Sequence, residues 1–462
     1  MITFVVALIL LIVGFCTYGL LVEKIFGIEP DRKTPALTKT DGVDFVPMSS
    51  WRIFLVQFLN IAGLGPIFGA IMGICFGPAA FLWIVFGTIF AGGVHDYLSG
   101  MMSIRKGGLS LPNIIGEELG KGVKVFMLIL SLVLLVLLTT TFLAGPANLL
   151  QGLAGLETLQ VGKQTIPIIW VLIIFGYYAL ATVLPVDKLI GRFYPIFGAI
   201  LLFMGLGIMV IMLGWHSADM PEVFGKQGLA NRHDAGYPLF PMMFVSIACG
   251  AISGFHGTQS PIMARCCTNE RQGRWIFYGA MVAEGVLALI WAAAAGTFFA
   301  HGGDGIANLQ TYLGDHNNNP SAVIDIVSRD WLGTVGGILA IIGVIAAPIT
   351  SGDTALRSAR LIVADFLKLD QRPIPKRLMI ALPLFACVFG MVFVDFGIVW
   401  RYFAWTNQTL ACFTLWAGTV WLHRNSKYKY GWLMAAIPAV FMTVVCISYI
   451  LVAPEGFNLH LW

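Results

Sequence analysis

Long runs of apolar residues make up most of this chain, and the polar residues are gathered in the short segments between them. The first run, residues 2–22, has about 21 residues, which is enough for an α-helix to cross a bilayer. No basic segment precedes it and no small-residue cleavage site follows it, so we expect a retained span and not a signal peptide. The pattern predicts twelve transmembrane helices, at 2–22, 51–76, 78–101, 123–146, 166–186, 190–214, 241–262, 273–300, 332–352, 378–395, 398–422 and 431–453.

Composition agrees with a membrane protein that has no separate soluble domain. Hydrophobic residues make up 58% of the 462 residues and charged residues 11%, against roughly 25% in soluble domains. Cys266 and Cys267 are adjacent but lack a second pair at zinc spacing, and the other cysteines lie in apolar runs. We therefore predict an all-α polytopic membrane protein, a single domain over residues 1–462, without a disulfide framework.

The basic residues are unevenly distributed between the two sides that this topology defines. Of the 28 Lys and Arg residues, 23 fall in the odd-numbered loops counted from the N-terminus. Cytoplasmic loops are enriched in Lys and Arg, so loops 23–50, 102–122 and 353–377 are expected in the cytoplasm and both termini outside. A missed span would scramble this alternation, so the asymmetry also supports the count. The basic residues on the outer side are Lys163, Lys226, Arg232, Arg329 and Arg401.

Two segments of the chain resemble each other and indicate an internal repeat. Residues 83–94, WIVFGTIFAGGV, align without gaps with residues 275–286, WIFYGAMVAEGV, and six of the twelve positions are identical. The first copy lies in the third span and the second in the eighth. An offset of five spans inverts the topology, and inverted repeats are the arrangement of many secondary transporters.

Just before each copy, glycine and proline interrupt an apolar span. The second span contains NIAGLGPIFGA (60–70) and the seventh contains ACGAISGFHGTQSP (248–261). Such residues free backbone groups, which a membrane tolerates only where protein or a water-filled cavity satisfies them. Ordinary kinks are the alternative, but breaks in corresponding positions of an inverted repeat favour a solute site. The predicted solute-binding residues are Gly63, Leu64, Gly65, Ser253, Gly254, Phe255, His256, Gly257, Thr258, Gln259 and Ser260.

Ionisable residues inside the apolar runs are the candidates for ion coupling, since each costs about 2.5–3.5 kcal/mol at the membrane centre. His95 and Asp96 lie near the inner end of the third span, where an interfacial pair is the alternative. Glu284 lies about ten residues into the eighth span and either carries a proton or ties two helices together. Asp353 precedes Arg357 by four residues, so an ion pair on one helix face is its leading interpretation.

Three long motifs, at 63–110, 251–261 (AISGFHGTQSP) and 350–365 (TSGDTALRSARLIVAD), closely resemble the carbon starvation protein A family. The resemblance covers most of the chain. It implies a bacterial inner-membrane carrier for peptides, or for pyruvate with proton coupling. The family is placed with the amino acid–polyamine–organocation superfamily. That placement implies a LeuT-like core of two inverted five-helix repeats, here 51–214 and 241–422, with one extra helix at each end.

The same resemblance implies a candidate sodium site. The run APITS at 347–351 is similar to the Ala-x-x-Thr-Ser pattern of sodium-coupled members, in which two hydroxyls and two backbone carbonyls hold the ion. The asparagine that usually follows Gly-Leu-Gly is Pro66 here, which argues against a further, solute-linked sodium site. The family implies protons, so we expect proton coupling, with sodium as the alternative and no other cofactor. The residues of the candidate sodium site are Leu59, Ala62, Ala347, Thr350 and Ser351.

Two further stretches leave alternatives open. Trp405, Thr406, Asn407 and Gln408 in the eleventh span either line the pathway or tie helices together. The polar outer loop 301–331 has an amphipathic helical pattern at 319–331, which fits either an outer lid or a solvated loop.

Other classes of function find little support in the sequence. There is no G-x-x-x-x-G-K-[ST] motif for an ATP-driven pump, and neither H-E-x-x-H nor G-x-S-x-G for an enzyme. A channel or a nutrient sensor without transport is the alternative. We predict a cation-coupled secondary transporter that imports small nutrients, peptides or pyruvate-like carboxylates, across the bacterial plasma membrane during carbon starvation. Its expected partners are the solute and membrane lipid, and not nucleic acid.

Overall fold

The fold consists mainly of α-helices joined by short loops. A computed structural model describes residues 1–42, 44–161, 164–183, 186–225, 228–300, 303–316, 318–369, 371 and 373–459. Lys163, Lys226 and His301, which the sequence analysis assigns to outer loops, lie outside the described residues. The helices are α1 Ile2–Cys16, α2 Tyr18–Phe26, α3 Pro35–Thr38, α4 Ser50–Ile61, α5 Leu64–Ile74, α6 Ala79–Gly87, α7 Gly93–Arg105, α8 Leu111–Leu119, α9 Lys121–Leu153, α10 Ile168–Val183, α11 Val186–Trp215, α12 Leu239–Ser246, α13 Ala248–Ala251, α14 Gly254–Ala264, α15 Gly279–Phe298, α16 Gly305–Asp315, α17 Pro320–Leu367, α18 Ile374–Met391, α19 Phe396–Asn425 and α20 Leu433–Val452. Two π-helical turns, Thr88–Gly92 and Arg274–Tyr278, precede α7 and α15, and a hairpin of β1 (Leu159–Val161) and β2 (Gln164–Ile166) follows α9.

Each of the twelve predicted spans coincides with a helical segment in the described part of the chain. Eight segments are long and apolar enough to cross a membrane by themselves, and the bent pair α4–α5 makes a ninth. The other three are the shorter helix α10, the interrupted series α12–α14, and α19, which carries polar residues in its middle. The all-α, multi-pass architecture is therefore confirmed.

The odd-numbered, basic loops lie together on one side of the helix bundle. Lys39 in the first loop donates to the Gly107 carbonyl in the third (2.9 Å), and the Met48 N–H donates to the Cys266 carbonyl in the seventh (3.2 Å). The amino-terminal amine contacts Glu222, which belongs to an even-numbered loop. We call the side that holds the odd-numbered loops the basic face. The alternation of loops predicted from the charges is therefore present in the fold.

The two segments of the predicted repeat pack against each other. The Tyr278 hydroxyl donates to the Ile89 carbonyl (2.9 Å). A Cβ atom at Gly93 would lie 2.5 Å from the Tyr278 ring, and one at Gly285 would lie 2.6 Å from Thr88 Oγ1. Small residues let these helices approach closely, as is common in membranes. The repeat boundaries 51–214 and 241–422 stay a prediction.

Both predicted breaks are present, and they lie side by side. Residues 62 and 63 separate α4 from α5, with a bend of 48° between the helices. Residues 252 and 253 separate α13 from α14. A Cβ atom at Gly65 would lie 2.3 Å from the Cys249 thiol, so the two interrupted spans meet at this contact.

The ninth span continues further towards the basic face than the sequence predicts. Residues 353–377 are predicted to form a loop, whereas α17 extends to Leu367. Arg357, expected in that loop, is 3% exposed and donates to the Ala181 carbonyl (3.1 Å). The prediction is wrong here because a charged side chain that bonds inside the protein looks, in sequence, like a loop residue.

The loop 301–331, which is predicted to lie outside, is largely helical in its described part. It contains α16 and the start of α17, where the Asn319 side chain caps the helix by accepting from the Ser321 N–H (3.0 Å). Gly333, with φ +67°, interrupts the helical backbone. The helix predicted at 319–331 is thus present as the first part of α17, and its role as an outer lid stays a prediction.

Candidate transport site

Four titratable side chains from three helices form a continuous chain. The Asp96 carboxylate on α7 is contacted by two imidazoles, with Oδ1 2.7 Å from His95 Nδ1 and Oδ2 3.0 Å from His256 Nδ1. His256 on α14 also reaches Glu284 on α15, with Nε2 3.3 Å from Oε2. We call this group the His–Asp–His–Glu chain: His95, Asp96, His256 and Glu284.

Local features of the sequence place these side chains. His95 and Asp96 are neighbours in the first turn of α7. His256 lies in the first turn of α14, so the break that starts this helix also determines where its imidazole points. Gly257 lets α7 come close, because a Cβ atom there would lie 3.2 Å from the His95 ring. The break and Gly257 therefore have a direct role in bringing the side chains of the His–Asp–His–Glu chain together.

The whole His–Asp–His–Glu chain is buried, and each of its four side chains is 0% exposed. His95 and Asp96 do contact each other, and whether this pair lies at the membrane interface stays a prediction. A charge at this depth is costly unless it is paired. Because each Asp96 oxygen faces one imidazole, the favoured tautomer of both rings carries hydrogen on Nδ1 and directs Nε2 away from Asp96.

Hydrogen bonding is incomplete at both ends of the chain. His95 Nε2 and both Glu284 oxygens have no hydrogen-bond partner among the described residues, although Oε2 lies near His256. Leaving such atoms unpartnered costs about 1–3 kcal/mol each. A proton shared between His256 and Glu284 would satisfy one of these atoms. The arrangement is therefore suited to taking up and releasing protons inside the membrane.

Aromatic rings border the break in the second span. A Cβ atom at Gly63 would lie 2.8 Å from the Phe142 ring on α9. This ring makes edge-to-face contacts with Phe255 and Phe403, with centroids 6.3 and 6.5 Å apart. Of these rings, sequence reasoning named only Phe255 as solute-binding. Phe142 and Phe403 are not predicted beside the break, because a phenylalanine in an apolar helix has no distinguishing signal in the sequence.

Polar side chains of α19 hold the break in the seventh span. Asn407 Oδ1 accepts from the Phe255 N–H (2.7 Å) and from the Ser253 hydroxyl (3.1 Å). Gln408 Nε2 donates to the Ile252 carbonyl (3.1 Å). Of the two interpretations of this stretch, tying helices together is the one that these contacts support. They satisfy backbone groups that the break leaves free, as the membrane requires.

The candidate sodium ligands come together where α17 passes the break in the second span. Ser351 Oγ lies 3.1 Å from the Leu59 carbonyl oxygen and 2.9 Å from the Ala347 carbonyl oxygen, and its single proton can be donated to either. Thr350 Oγ1 donates to the same Ala347 carbonyl (2.7 Å). Ala62 lies at the break itself, beyond the last residue of α4. Neutral oxygen atoms of this kind suit a hard cation, so these residues fit a sodium ion.

The remaining predicted residues lie around these groups. A Cβ atom at Gly254 would lie 2.3 Å from the Asn407 carbonyl, and Leu64 is fully buried. Asp353 is 2% exposed in α17, and its pairing with Arg357 stays a prediction. Three buried polar residues follow His256 on α14 in the direction of the basic face: Thr258, Gln259 and Ser260.

Comparison with known proteins agrees with this picture. The family model described as carbon starvation protein CstA matches residues 1–162, 154–328 and 320–449. A Haemophilus influenzae protein named uncharacterized membrane protein is 46% identical over 65% of this chain and 91% of its own length. The peptide transporter CstA of Campylobacter jejuni is 26% identical over 95% of this chain and 78% of its own length. The pyruvate/proton symporter BtsT of Escherichia coli is 27% identical over 63% of this chain and 48% of its own length.

Among solved structures, that of MhsT in complex with L-phenylalanine has the same fold. The TM-score is 0.62, and the match covers 87% of this chain and 99% of MhsT at 15% sequence identity. The LeuT-like fold implied by the resemblance is thereby confirmed. At this identity the likeness concerns the fold alone.

Proposed function

This chain belongs to the carbon starvation protein CstA family, and we propose that it is a proton-coupled symporter that imports short peptides or pyruvate-like carboxylates. Its named relatives are a peptide transporter and a pyruvate/proton symporter, so this chain is a transporter and not an enzyme. The proposal adds the coupling ion, the solute class and the orientation. The setting, a bacterial plasma membrane during carbon starvation, is also part of the proposal and rests on the name of the family.

The observation that carries proton coupling is the His–Asp–His–Glu chain. Its imidazoles and carboxylates belong to the side-chain types that gain and lose protons in catalysis and transport. They are fully buried and contact one another. Chains of such residues at this depth mark proton pathways in pumps and transporters.

Helix α14 carries both a member of the His–Asp–His–Glu chain and part of the proposed solute site. His256 contacts Asp96 and Glu284, whereas its neighbours Ser253 and Phe255 belong to the break. A change of charge on His256 therefore acts at the start of α14, where we expect the solute to bind. Proton uptake and solute binding thus share a structural element that both can bias, which coupling requires.

Sodium coupling is the second candidate, and the contacts of Ser351 favour it. Its hydroxyl oxygen lies within hydrogen-bond distance of the Leu59 and Ala347 carbonyls, so several neutral oxygens already lie close together at a break. Rotation of the hydroxyl proton would make this oxygen available to a hard cation. Hydroxyl groups are also ordinary helix-packing choices in membranes, and the relative with a named coupling ion uses protons. We therefore rank sodium below the proton.

We also propose that the basic face meets the cytoplasm and that both termini lie outside. The support is the excess of Lys and Arg in the loops of that face. In a variant without the exposed Cys16 and Cys387, a cysteine introduced at Lys39 should resist an impermeant thiol reagent in intact cells and react after permeabilisation. Labelling in intact cells would reverse the orientation.

Uptake into proteoliposomes, with each ion gradient imposed separately, tests the function. An inward proton gradient in sodium-free buffer should drive accumulation of a short peptide or a small carboxylate. An inward sodium gradient at constant pH should not. Unlabelled solute inside should also drive counterflow of labelled solute, which a carrier supports and a channel does not. A strict need for sodium, or the absence of counterflow, would contradict the proposal.

A further inference from the structure

Arg360 on α17 is a buried cation whose donors are only partly satisfied. Its side chain is 2% exposed, and it lies about 10 Å before the end of α17 at Leu367, by a rise of about 1.5 Å per residue. Among the described residues its guanidinium makes one hydrogen bond, from Nη1 to Gln371 Oε1, and no ion pair. Arg360 Nε has no hydrogen-bond partner there. A cation buried in this way is costly unless an anion pairs with it.

Gln371, between α17 and α18, holds Arg360 and adds a second unmet donor. Its backbone carbonyl accepts from Arg377 Nε (2.6 Å), and its side-chain oxygen accepts from Arg360. Its Nε2 is buried and has no hydrogen-bond partner in the described part of the chain. Arg360 Nε and Gln371 Nε2 can only donate, so the group that is missing here is an acceptor. Unmet polar groups of this kind in a native fold call for a bound molecule that meets them.

The charges around Arg360 favour a negatively charged acceptor. Asp44 and three arginines interact with it electrostatically: Arg265, Arg357 and Arg377. Each of these three arginines is at most 6% exposed. Arg265 lies 3.6 Å from Asp365, and Asp44 is buried without forming an ion pair with Arg360. Positive charges therefore outnumber negative ones among these groups, and such a field attracts an anion.

Arg360 lies near the place where α14 and α17 meet, close to the basic face. Ser358, two residues before it, donates to the Thr258 carbonyl on α14 (2.7 Å). Arg265, which directly follows α14, faces Asp365 on α17. These contacts hold the two helices together in this structure. Helix α17 also passes the break in the second span, so a solute that moves along α14 and α17 from the breaks to the basic face reaches them.

We propose that Arg360 and Gln371 form a release-side site, which holds a carboxylate group of the solute after it leaves the breaks. This inference rests on the proposed transport function and adds the group by which the solute is held near the basic face. Pyruvate and short peptides both carry a carboxylate, so the site accepts either class. A carboxylate only accepts hydrogen bonds, and its two oxygens match the planar donors of an arginine. A phospholipid headgroup fits less well, because Arg360 does not lie on the lipid-facing surface.

Competition measured from each side of the membrane tests the site, in right-side-out and inverted vesicles. Each labelled carboxylate probe competes with itself and with its neutral amide: pyruvate with pyruvamide, and dialanine with dialaninamide. On the basic face, the unmodified protein should bind the carboxylate form more tightly than the amide. In Arg360→Gln, this preference, measured as the ratio of the two inhibition constants, should fall about tenfold on the basic face, because hydrogen bonds between charged groups are the stronger ones. On the opposite face it should change by less than about twofold.

Gln371→Glu tests the same site without leaving Arg360 unsupported. The introduced carboxylate has the size of the amide that it replaces and faces the Arg360 guanidinium, so it should occupy the cation. The preference for the carboxylate form should fall as in Arg360→Gln, whereas the unfolding temperature should not fall. Arg271→Gln is the control for a change of charge on this face, because Arg271 is exposed between α14 and α15, and it should leave the preference unchanged.

The outcomes separate this inference from the function on which it rests. Equal loss of affinity for the carboxylate and the amide would reduce Arg360 to helix packing and overturn the site. Equal changes of preference on both faces would overturn its place on the release side. Inhibition by inorganic phosphate on the basic face, with no preference for carboxylate over amide, would assign Arg360 to another anion. No transport of either probe by the unmodified protein would overturn both proposals. If Arg360→Gln does not fold, Gln371→Glu decides.

Discussion

Two polar clusters border the interrupted spans, and they differ in the chemistry of their atoms. The His–Asp–His–Glu chain consists of titratable groups on α7, α14 and α15. The cluster around Ser351, on α17 and α4, consists of hydroxyls and backbone carbonyls, which keep their protonation state at physiological pH. The His–Asp–His–Glu chain can therefore store protons, whereas the cluster around Ser351 can only coordinate a cation.

The clusters also differ in how completely their atoms are bonded. The Ser351 hydroxyl already has acceptors within the protein, since its one proton can be donated to the Leu59 or the Ala347 carbonyl. In the His–Asp–His–Glu chain, His95 Nε2 and both Glu284 oxygens lack a hydrogen-bond partner in the described part of the structure. A proton between His256 Nε2 and Glu284 Oε2 would supply a hydrogen bond that is missing there, whereas the Ser351 hydroxyl has an acceptor without any cation. This difference in bonding therefore favours the His–Asp–His–Glu chain as the site of ion coupling.

The largest effect is expected from Glu284→Gln, which removes the carboxylate from the end of the chain. Proton-driven accumulation should be abolished, because the amide facing His256 can no longer gain or lose a proton. Counterflow, which needs no net proton movement, should persist. Glu157→Gln in an exposed outer loop is the control and should leave both assays unchanged. Accumulation by Glu284→Gln at the normal level would remove this residue from coupling.

The next effect concerns the contact between the two breaks, which both clusters adjoin. The Cβ atom of Gly65→Ala would lie 2.3 Å from the Cys249 thiol, so the two interrupted spans must move apart. Overpacking of this kind costs about 1–3 kcal/mol, and uptake should fall roughly tenfold or more. Gly122→Ala is the matched control, since nothing lies within 4 Å of its Cβ position. Equal uptake rates for the two variants would show that this contact has no role in transport.

A smaller effect is expected from Asn407→Leu, which removes the acceptor oxygen that holds the break before α14. The Phe255 N–H and the Ser253 hydroxyl would lose their acceptor, and the free energy of unfolding should fall by about 1–3 kcal/mol. Thermal unfolding of the purified protein in detergent measures this change. Asn425→Leu, at the end of the same helix, should shift the unfolding temperature less because Asn425 bonds only to its own helix in its described contacts. A larger shift for Asn425→Leu would contradict this account of the break.

The smallest effect is expected from Ser351→Ala, which tests the cluster of hydroxyls and carbonyls around Ser351. If protons drive transport, uptake along a proton gradient in sodium-free buffer should change less than about twofold, as for a substitution that removes one helix tie. If sodium drives it, the sodium concentration needed for half-maximal uptake should rise sharply, because a hard cation needs its oxygen ligands. Full sodium-free accumulation by the Thr350→Ala, Ser351→Ala double variant would eliminate the sodium alternative.

Much of the fold and part of the site are legible in the sequence. His95, Asp96 and Glu284 are recognisable as coupling candidates because a titratable residue stands out within an apolar run. The breaks are recognisable because glycine and proline interrupt such runs. The structure then joins Glu284 of the eighth span to His95 and Asp96 of the third through His256, which their positions on separate spans do not indicate.

Other parts of the site could not be predicted from the residues. His256 was assigned to the solute site because it lies in the break, yet its imidazole contacts Asp96 and Glu284. The sequence leaves two interpretations of Asn407 open, and only the structure shows that its Oδ1 accepts from the Phe255 N–H at the start of α14. Arg357 was placed in a loop because the sequence does not reveal that the Ala181 carbonyl is there to bond it.

By itself, the sequence determined the apolar segments, the positions of the breaks and the separation of the basic loops onto one face. These features depend on the bilayer, whose thickness fixes the length of a span and whose interior excludes unbonded backbone. Only the tertiary structure decided which polar side chains meet. A helix pattern shows which residues share one face, but the neighbour of that face is set by packing among segments far apart in the chain. Asp96, His256 and Glu284 lie on three such segments, so their contact is a property of the assembled bundle.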